Sequence, residues 1–291
     1  MVQSLSVATK PSPVAGDLSE SWRVLRERYA LLLVDRLRLD DPLRAVAIHA
    51  LQGGKRIRPM LAELLGRALG APQDAVADVA VAVEYLHTAS VMLDDLPCMD
   101  DAVERREVPA AHVRFSEAEV ILTAVALLSR SYAVLLLAPV RLEDCRGMTL
   151  LASETVAGAM ALGQAMELAP GGVPSPGAIQ RIHEQKTASL FGLLGRLVSG
   201  CAEASAGVTE KVVTYTTLLG RAYQIMDDIE DRNEPGEARA NLARVGSVED
   251  AGAEARERLA AAQRIIADID ATGELGAFVG WLEQRVTPGE A

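Results

Sequence analysis

Lysine is scarce in this chain: only Lys10, Lys55, Lys186 and Lys211 stand among 29 basic residues. The net charge is −11, which argues against nucleic acid as a partner, because phosphate backbones are met by a surplus of Lys and Arg. Aromatic residues are only 3% of the chain, so the apolar 49% is carried by Ala, Leu and Val, and the strong helix formers among them favour helices over sheet. Cysteine is limited to Cys98, Cys145 and Cys201, an odd number without metal-site spacing. That excludes a disulfide framework and points to free thiols in a reducing compartment, hence a cytoplasmic location. The first seventeen residues hold Pro, Ser and Thr but no charged start followed by an apolar run, so 1–17 is expected to be a disordered leader and not a signal peptide. Val120 to Val140 is the one stretch apolar enough to raise the question of a membrane span. Arg130 at its centre and Pro139 near its end favour a buried bundle helix instead, and no span is expected.

Alternating strand patterns and internal repeats are also lacking. What is present is apolar spacing of helical period through most of the 291 residues. Asp17 reads as an N-cap, with Glu20 in the first turn of a helix running to about Leu39. Between Ala75 and Asp94, the positions Val76, Val79, Ala80, Val83, Leu86, His87 and Ser90 form one stripe, which sets His87, Ser90 and Asp94 on a common face. The Ala-rich stretch from Ala251 to Ala271 reads as an amphipathic surface helix. Breaks at Gly53-Gly54, Gly70 to Pro72, Pro97, Pro109, Pro139, Pro170 to Pro176 and Asn233 to Gly236 are too short for interdomain linkers. The expectation is an all-α fold: one large bundle of about ten core helices over 18–291, around a central cavity.

Acidic residues are concentrated in two runs, Asp94-Asp95-Leu96-Pro97-Cys98-Met99-Asp100-Asp101 and Asp227-Asp228-Ile229-Glu230-Asp231. Carboxylates this dense resist burial unless a cation compensates them. Magnesium takes hard oxygen ligands and typically uses one or two carboxylates plus substrate phosphates, so the expected ligand is a phosphate ester. Asp227 and Asp231 are one helical turn apart, about 6 Å between Cβ atoms. Read alone, they also fit a solvated acidic face. Pro97 ends or bulges its helix, and Asp94 and Asp100 converge only if the chain folds back there. A calcium loop is excluded because the sixth-position Gly and twelfth-position acid are missing. Gly53-Gly54-Lys55-Arg56-Ile57-Arg58-Pro59 sets a turn before a helix start with several cations, which suits an anion. Arg105-Arg106 alone fits a solvated pair equally well, and His87 alone a satisfied core histidine.

The order of these pieces is more specific than any one of them. Gly-Gly-Lys with Arg-Pro, the first aspartate run, the arginine pair, Lys186-Thr187, and Gln224 before the second run resemble the trans-isoprenyl diphosphate synthases from about Ser19 to Arg285. The stretch from Asp94 to Ala102 is most similar to bacterial geranylgeranyl diphosphate synthases. The resemblance implies an isoprenoid-synthase bundle over 18–291. It implies a trans-prenyltransferase that condenses isopentenyl diphosphate with an allylic diphosphate (dimethylallyl, geranyl or farnesyl), with three Mg²⁺ ions on the departing diphosphate. By similarity Asp94 and Asp100 bind two of the ions and Asp227 the third, with Asp95, Asp101, Asp228 and Asp231 in support. Arg105 and Lys186 hold the allylic diphosphate; Lys55, Arg58, His87 and Arg106 hold isopentenyl diphosphate; Thr187 and Gln224 line the reacting centre. The family tends to form homodimers.

Product length follows from the same resemblance. Ala89 and Ser90 are small where short-product members tend to carry an aromatic, and one helical turn, about 5.4 Å, is roughly one isoprene unit. Tyr85, a turn further, is the expected floor, giving C20 with C15 as the alternative. The chain departs from the family at Glu107 (usually Gly), Leu93 (often His) and Glu167 (usually Asp), and the loop after Asp231 has none of the usual lysines. Arg232, Arg239 or Arg244 are the available substitutes, although Arg does not replace Lys freely. Two other readings stand beside this one: the same fold transferring the prenyl group to a non-isopentenyl acceptor, and a non-catalytic partner subunit, which the missing loop lysines allow.

Overall fold

The computed structural model describes residues 18–105, 108–169, 175–233 and 240–286. The expected leader, Asp17, Arg106, Glu107 and Arg239 lie outside the described residues. The helices are α1 (Leu18–Asp35), α2 (Leu43–Ala50), α3 (Ile57–Leu69), α4 (Gln73–Asp94), α5 (Ala111–Arg114), α6 (Glu117–Leu136), α7 (Leu142–Thr155), α8 (Ala161–Glu167), α9 (Pro176–His183), α10 (Ser189–Cys201), α11 (Ala206–Glu230), α12 (Leu242–Val245), α13 (Val248–Ile266) and α14 (Glu274–Val286). The all-α bundle is thus the architecture the chain adopts. Among the described residues its one small exception is an antiparallel pair, β1 (Glu104–Arg105) with β2 (Val108–Pro109), which tethers the segment after the first aspartates. Helix α1 stops at Asp35, about a turn short of the expected Leu39.

Local sequence sets several helix starts. Ser116 and Glu119 close a capping box at α6, and Ser175, Ser205, Asn241 and Ser247 each accept a backbone N–H at the start of a helix. The α13 stripe Ala251, Ala255, Leu259, Ala262 and Ile266 is buried, as its spacing implied, and packs on α11. Helix α4 differs from its one-sided reading. Every residue from Ala75 to Leu86 is buried, because α3, α6 and α10 all pack against it. Two of its buried acids are paired: Asp78 with Arg36 at 3.0 Å and Glu84 with Arg56 at 2.5 Å.

Helices α4 and α6 are both long and apolar enough to cross a membrane, but 78% of the α4 window is buried inside the fold. For α6 the figure is 39%, so it is less enclosed than the expected buried bundle helix. Its Arg130 donates to the Arg36 carbonyl at 2.7 Å, while Ile121, Leu122, Val125 and Leu136 remain exposed. The three cysteines are unpaired, as expected. Cys145 and Cys201 are buried, and burial pushes the Cys201 thiol up to about 12.

Candidate active site

Helix α4 ends at Asp94, and the chain folds back at once: the amide of Asp100 donates to the Asp94 carbonyl at 2.9 Å, and that of Asp101 to Leu96 at 3.1 Å. Asp101 adopts φ +52° to close this turn. Asp94 and Asp100 are thereby neighbours, and Asp100 adds to the burial that pushes Asp94 up to about 6. Asp95 points elsewhere. It is buried and accepts from Arg105 Nε at 2.9 Å, so β1 is tied back to the end of α4 and Arg105 is engaged by a carboxylate. A hollow of about 30 Å³ beside this pair, lined by His49, Thr88, Asp95 and Pro109 among others, has room for about one water and is far too small for a prenyl chain.

The second run closes α11. Asp227 is pushed up to about 7 by burial, with Lys55, Glu230, Asp231 and Arg58 as its charged neighbours. Asp228 is also pushed up to about 7 by burial, although it accepts the Leu242 amide at 2.7 Å and Gln224 Nε2 at 3.2 Å. With Asn241 donating to its carbonyl at 2.9 Å, Asp228 anchors the start of α12 and faces the protein more than any ligand. Thr187 Oγ1 donates to Gln224 Oε1 at 2.7 Å, so the two residues expected to line the reacting centre are bonded to each other.

Lys186 ties the first run to α8. Its Nζ lies 2.8 Å from Glu167 Oε2 and 3.5 Å from Asp94 Oδ2. The charge of Glu167 is in turn felt by both Asp94 and Asp228, so the ends of α4 and α11 border one charged neighbourhood. The sequence pattern missed how Lys186 is delivered. A π-turn, Glu184–Ala188, interrupts the run from α9 into α10 and carries both Lys186 and Thr187; such turns recur at functional positions. Helix α8 approaches it closely at Gly163, where a Cβ would stand 2.6 Å from the Lys186 amide nitrogen. His183, 3.5 Å from Asp228 Oδ2 and 3.2 Å from the Ala240 carbonyl, is another member that spacing did not reveal.

The Gly53-Gly54 turn, with φ +66° and +79°, brings Lys55 and Arg58 to the second run. Lys55 Nζ is 3.3 Å from Glu230 Oε2, and the Arg58 guanidinium lies 4.7 Å from the centre of the Phe191 ring. His87 and Ser90 are half-buried on the Asp94 side of α4. Tyr85 corrects the expected floor. It lies nine residues before Asp94, about two and a half turns, and its buried hydroxyl donates to the Leu33 carbonyl at 2.5 Å on α1. It therefore faces away from the aspartates. Of the arginines considered as substitutes for the absent loop lysines, Arg232 donates to the Ile229 carbonyl at 2.9 Å and Arg244 to that of Asp231 at 3.0 Å. Both stand at the end of α11, capping its carbonyls.

Among the described residues no three His, Cys, Asp or Glu side chains surround a single point. Hard carboxylate oxygens, two of them partly neutralised by burial at Asp94 and Asp227, still suit a divalent cation that takes its other ligands from phosphate and water.

The polyprenyl synthetase family profile matches residues 40–239. A geranylgeranyl diphosphate synthase of Pantoea ananas is 39% identical over 194 residues, 62% of this chain and 62% of that protein. A farnesyl diphosphate synthase of Escherichia coli K12 is 37% identical over 191 residues, 62% of this chain and 63% of that one. The matched stretch thus spans about three fifths of the curated relatives' length. Among solved structures, an FPP/GFPP synthase from Zymomonas mobilis superposes with a TM-score of 0.83 at 23% identity, covering 94% of this chain and all of that one. A geranyltranstransferase from Thermotoga maritima gives 0.75 at 26%, covering 91% and 97%.

Proposed function

This chain belongs to the polyprenyl synthetase family, and on that premise we propose that it joins isopentenyl diphosphate to an allylic diphosphate, farnesyl diphosphate first among them, to give the C20 geranylgeranyl diphosphate. The observation that carries this is Lys186, 3.5 Å from Asp94 and held by Glu167, whose charge is felt by both Asp94 and Asp228. A cation between acidic walls makes a place for a multiply charged anion with its own counter-ions. Asp94 and Asp100 at the end of α4, and Asp227 with Asp231 at the end of α11, would hold Mg²⁺. When bound, the magnesium ions neutralise charge developing on the departing diphosphate. Lys186 and Arg105 exchange their carboxylate partners for the allylic diphosphate. Lys55, Arg58, His87 and Arg106 hold the isopentenyl diphosphate, and the bonded pair Thr187 and Gln224 orients the reacting ends. Protecting the allylic cation from water requires an apolar lining around the reacting ends.

The test is incubation of the purified protein with labelled isopentenyl diphosphate, Mg²⁺ and each allylic diphosphate in turn, followed by chromatography of the dephosphorylated alcohols. A C20 alcohol supports the assignment; silence with every allylic substrate overturns it. Ser90 is half-buried on the Asp94 face, whereas Ala89 is fully buried, where a large insertion typically costs about 1–3 kcal/mol of stability. Ser90→Phe is therefore expected to shift the main product from C20 to C15 with little loss of melting temperature. An unchanged alcohol profile removes this face of α4 as the ruler.

A second copy of the chain is the proposed partner. Ile121, Leu122, Val125 and Leu136 on α6, and Leu150 and Leu151 on the neighbouring α7, are large apolar side chains open to solvent, and exposed apolar surface of this kind supports an association site. Val125→Glu is expected to convert a dimer into a monomer in light scattering coupled to size exclusion. A wild-type monomer at micromolar concentration overturns the assignment.

A further inference from the structure

Glu230 holds two cations that come from opposite ends of the chain. Its Oε2 is 3.3 Å from Lys55 Nζ on the Gly-Gly turn, and its Oε1 accepts from Arg285 Nη2 at 2.7 Å on α14. Arg285 stacks 5.3 Å from the centre of the Trp281 ring, and Trp281 packs edge-on against Trp22 of α1 at 4.0 Å, so the guanidinium is presented by an anchored aromatic cluster. Its Nε is buried and has no hydrogen-bond partner among the described residues. Arg58 and Arg285 both act electrostatically on Tyr223, as do Asp227 and Glu230, which together with the shared Glu230 puts Arg285 in the same neighbourhood as Arg58 and Lys55, both assigned to isopentenyl diphosphate. A guanidinium suits this task, since its fork binds two oxygens of a phosphate at once.

We propose that Arg285 is a further ligand of the isopentenyl diphosphate, and that Glu230 is an internal competitor occupying Lys55 and Arg285 until the diphosphate displaces it. This rests on the reading of the site as a prenyltransferase. One carboxylate bears a single charge, and a diphosphate bears more, so the exchange favours the substrate while Glu230 keeps the two cations from repelling each other in its absence. Glu230 is also near enough to Asp227 to raise its carboxyl, so its release from the cations accompanies the filling of the second aspartate site.

The test is steady-state kinetics with each substrate varied in turn. Arg285→Gln is expected to raise KM for isopentenyl diphosphate about tenfold, the loss of one charge-assisted hydrogen bond, and to leave KM for the allylic substrate within about twofold. Arg285→Lys recovers part of that loss. Glu230→Gln, at a half-exposed side chain, is expected to lower KM for isopentenyl diphosphate by roughly threefold because the competitor is gone. An unchanged KM in folded Arg285→Gln, or a raised KM in Glu230→Gln, overturns the inference. Should Arg285→Gln fail to fold, the direction of the Glu230→Gln shift decides alone. A wild-type protein that makes no product refutes the parent reading; calorimetric titration of isopentenyl diphosphate into wild type and Glu230→Gln then tests the competitor role separately, tighter binding to the variant supporting it and equal or weaker binding overturning it.

Discussion

Asp94→Asn and Asp227→Asn are each expected to lower turnover by about two to three orders of magnitude while leaving the melting temperature unchanged or raised. The two halves of this result have one cause. Burial pushes Asp94 up to about 6 and Asp227 up to about 7, both above the ordinary carboxylate value, so the folded chain is strained by carrying these groups ionised near neutral pH. An uncharged isostere relieves that strain, and the gain in the folded state is the loss in the site, because an amide does not replace a carboxylate toward a divalent ion. Asp228 is the internal control. Its carboxylate accepts from Leu242 and Gln224, and an amide oxygen can keep only part of that pattern. Asp228→Asn should therefore cost stability, about 1–3 kcal/mol, through the loosened start of α12. Turnover by Asp94→Asn at the wild-type rate, measured with saturating Mg²⁺ and farnesyl diphosphate, would remove the first run from the chemistry.

What could be read from residue order alone was whatever is local. The amphipathic α13 and the helical period depend on neighbours within a turn or two, and they emerged as expected; the serine and asparagine caps are equally local, although the pattern did not single them out. The fold-back from Asp94 to Asp100 was conditional on the turn at Pro97, and the hydrogen bonds across it are short-range as well. Pairings across the bundle were not legible. Glu167 registered only as a departure from a familial Asp, yet it holds Lys186 from nineteen residues away; Glu230 lies 175 positions from Lys55. Tyr85 was placed by counting turns from Asp94, but α4 is enclosed on all sides, and a helix buried all round carries no polar face to fix its rotation in the pattern. The π-turn at Glu184–Ala188 adds a residue to one turn of the helix, a shift that periodic spacing conceals.

Glu84→Ala is expected to destabilise the chain by about 3–5 kcal/mol, the largest stability effect of any single change considered. Arg56 sits at φ +51° as the residue before α3, and both it and Glu84 are nearly devoid of solvent contact, with side chains 2% and 3% exposed. The guanidinium also donates to the Leu51 carbonyl, so it closes the Gly53-Gly54 turn from within while Lys55 and Arg58 on either side point to the second aspartate run. Removing Glu84 leaves a buried cation whose other partner among the described residues is a carbonyl, and dehydration is then uncompensated. The effect on the site should exceed its share of stability, because the turn that presents Lys55 and Arg58 is held by the same guanidinium. Urea titration gives the stability, and KM for isopentenyl diphosphate is expected to rise in whatever fraction remains folded. The double variant Arg56→Met with Glu84→Leu separates the two contributions: it removes both charges together, so more than half of the lost stability should return, since a buried ion pair exchanged for apolar groups is often neutral. KM should stay raised in it, because nothing then binds the Leu51 carbonyl to hold the turn. Recovery of both would show that the ion pair is only a charge-neutralising device, and Glu84→Ala as stable as wild type would show that water reaches Arg56.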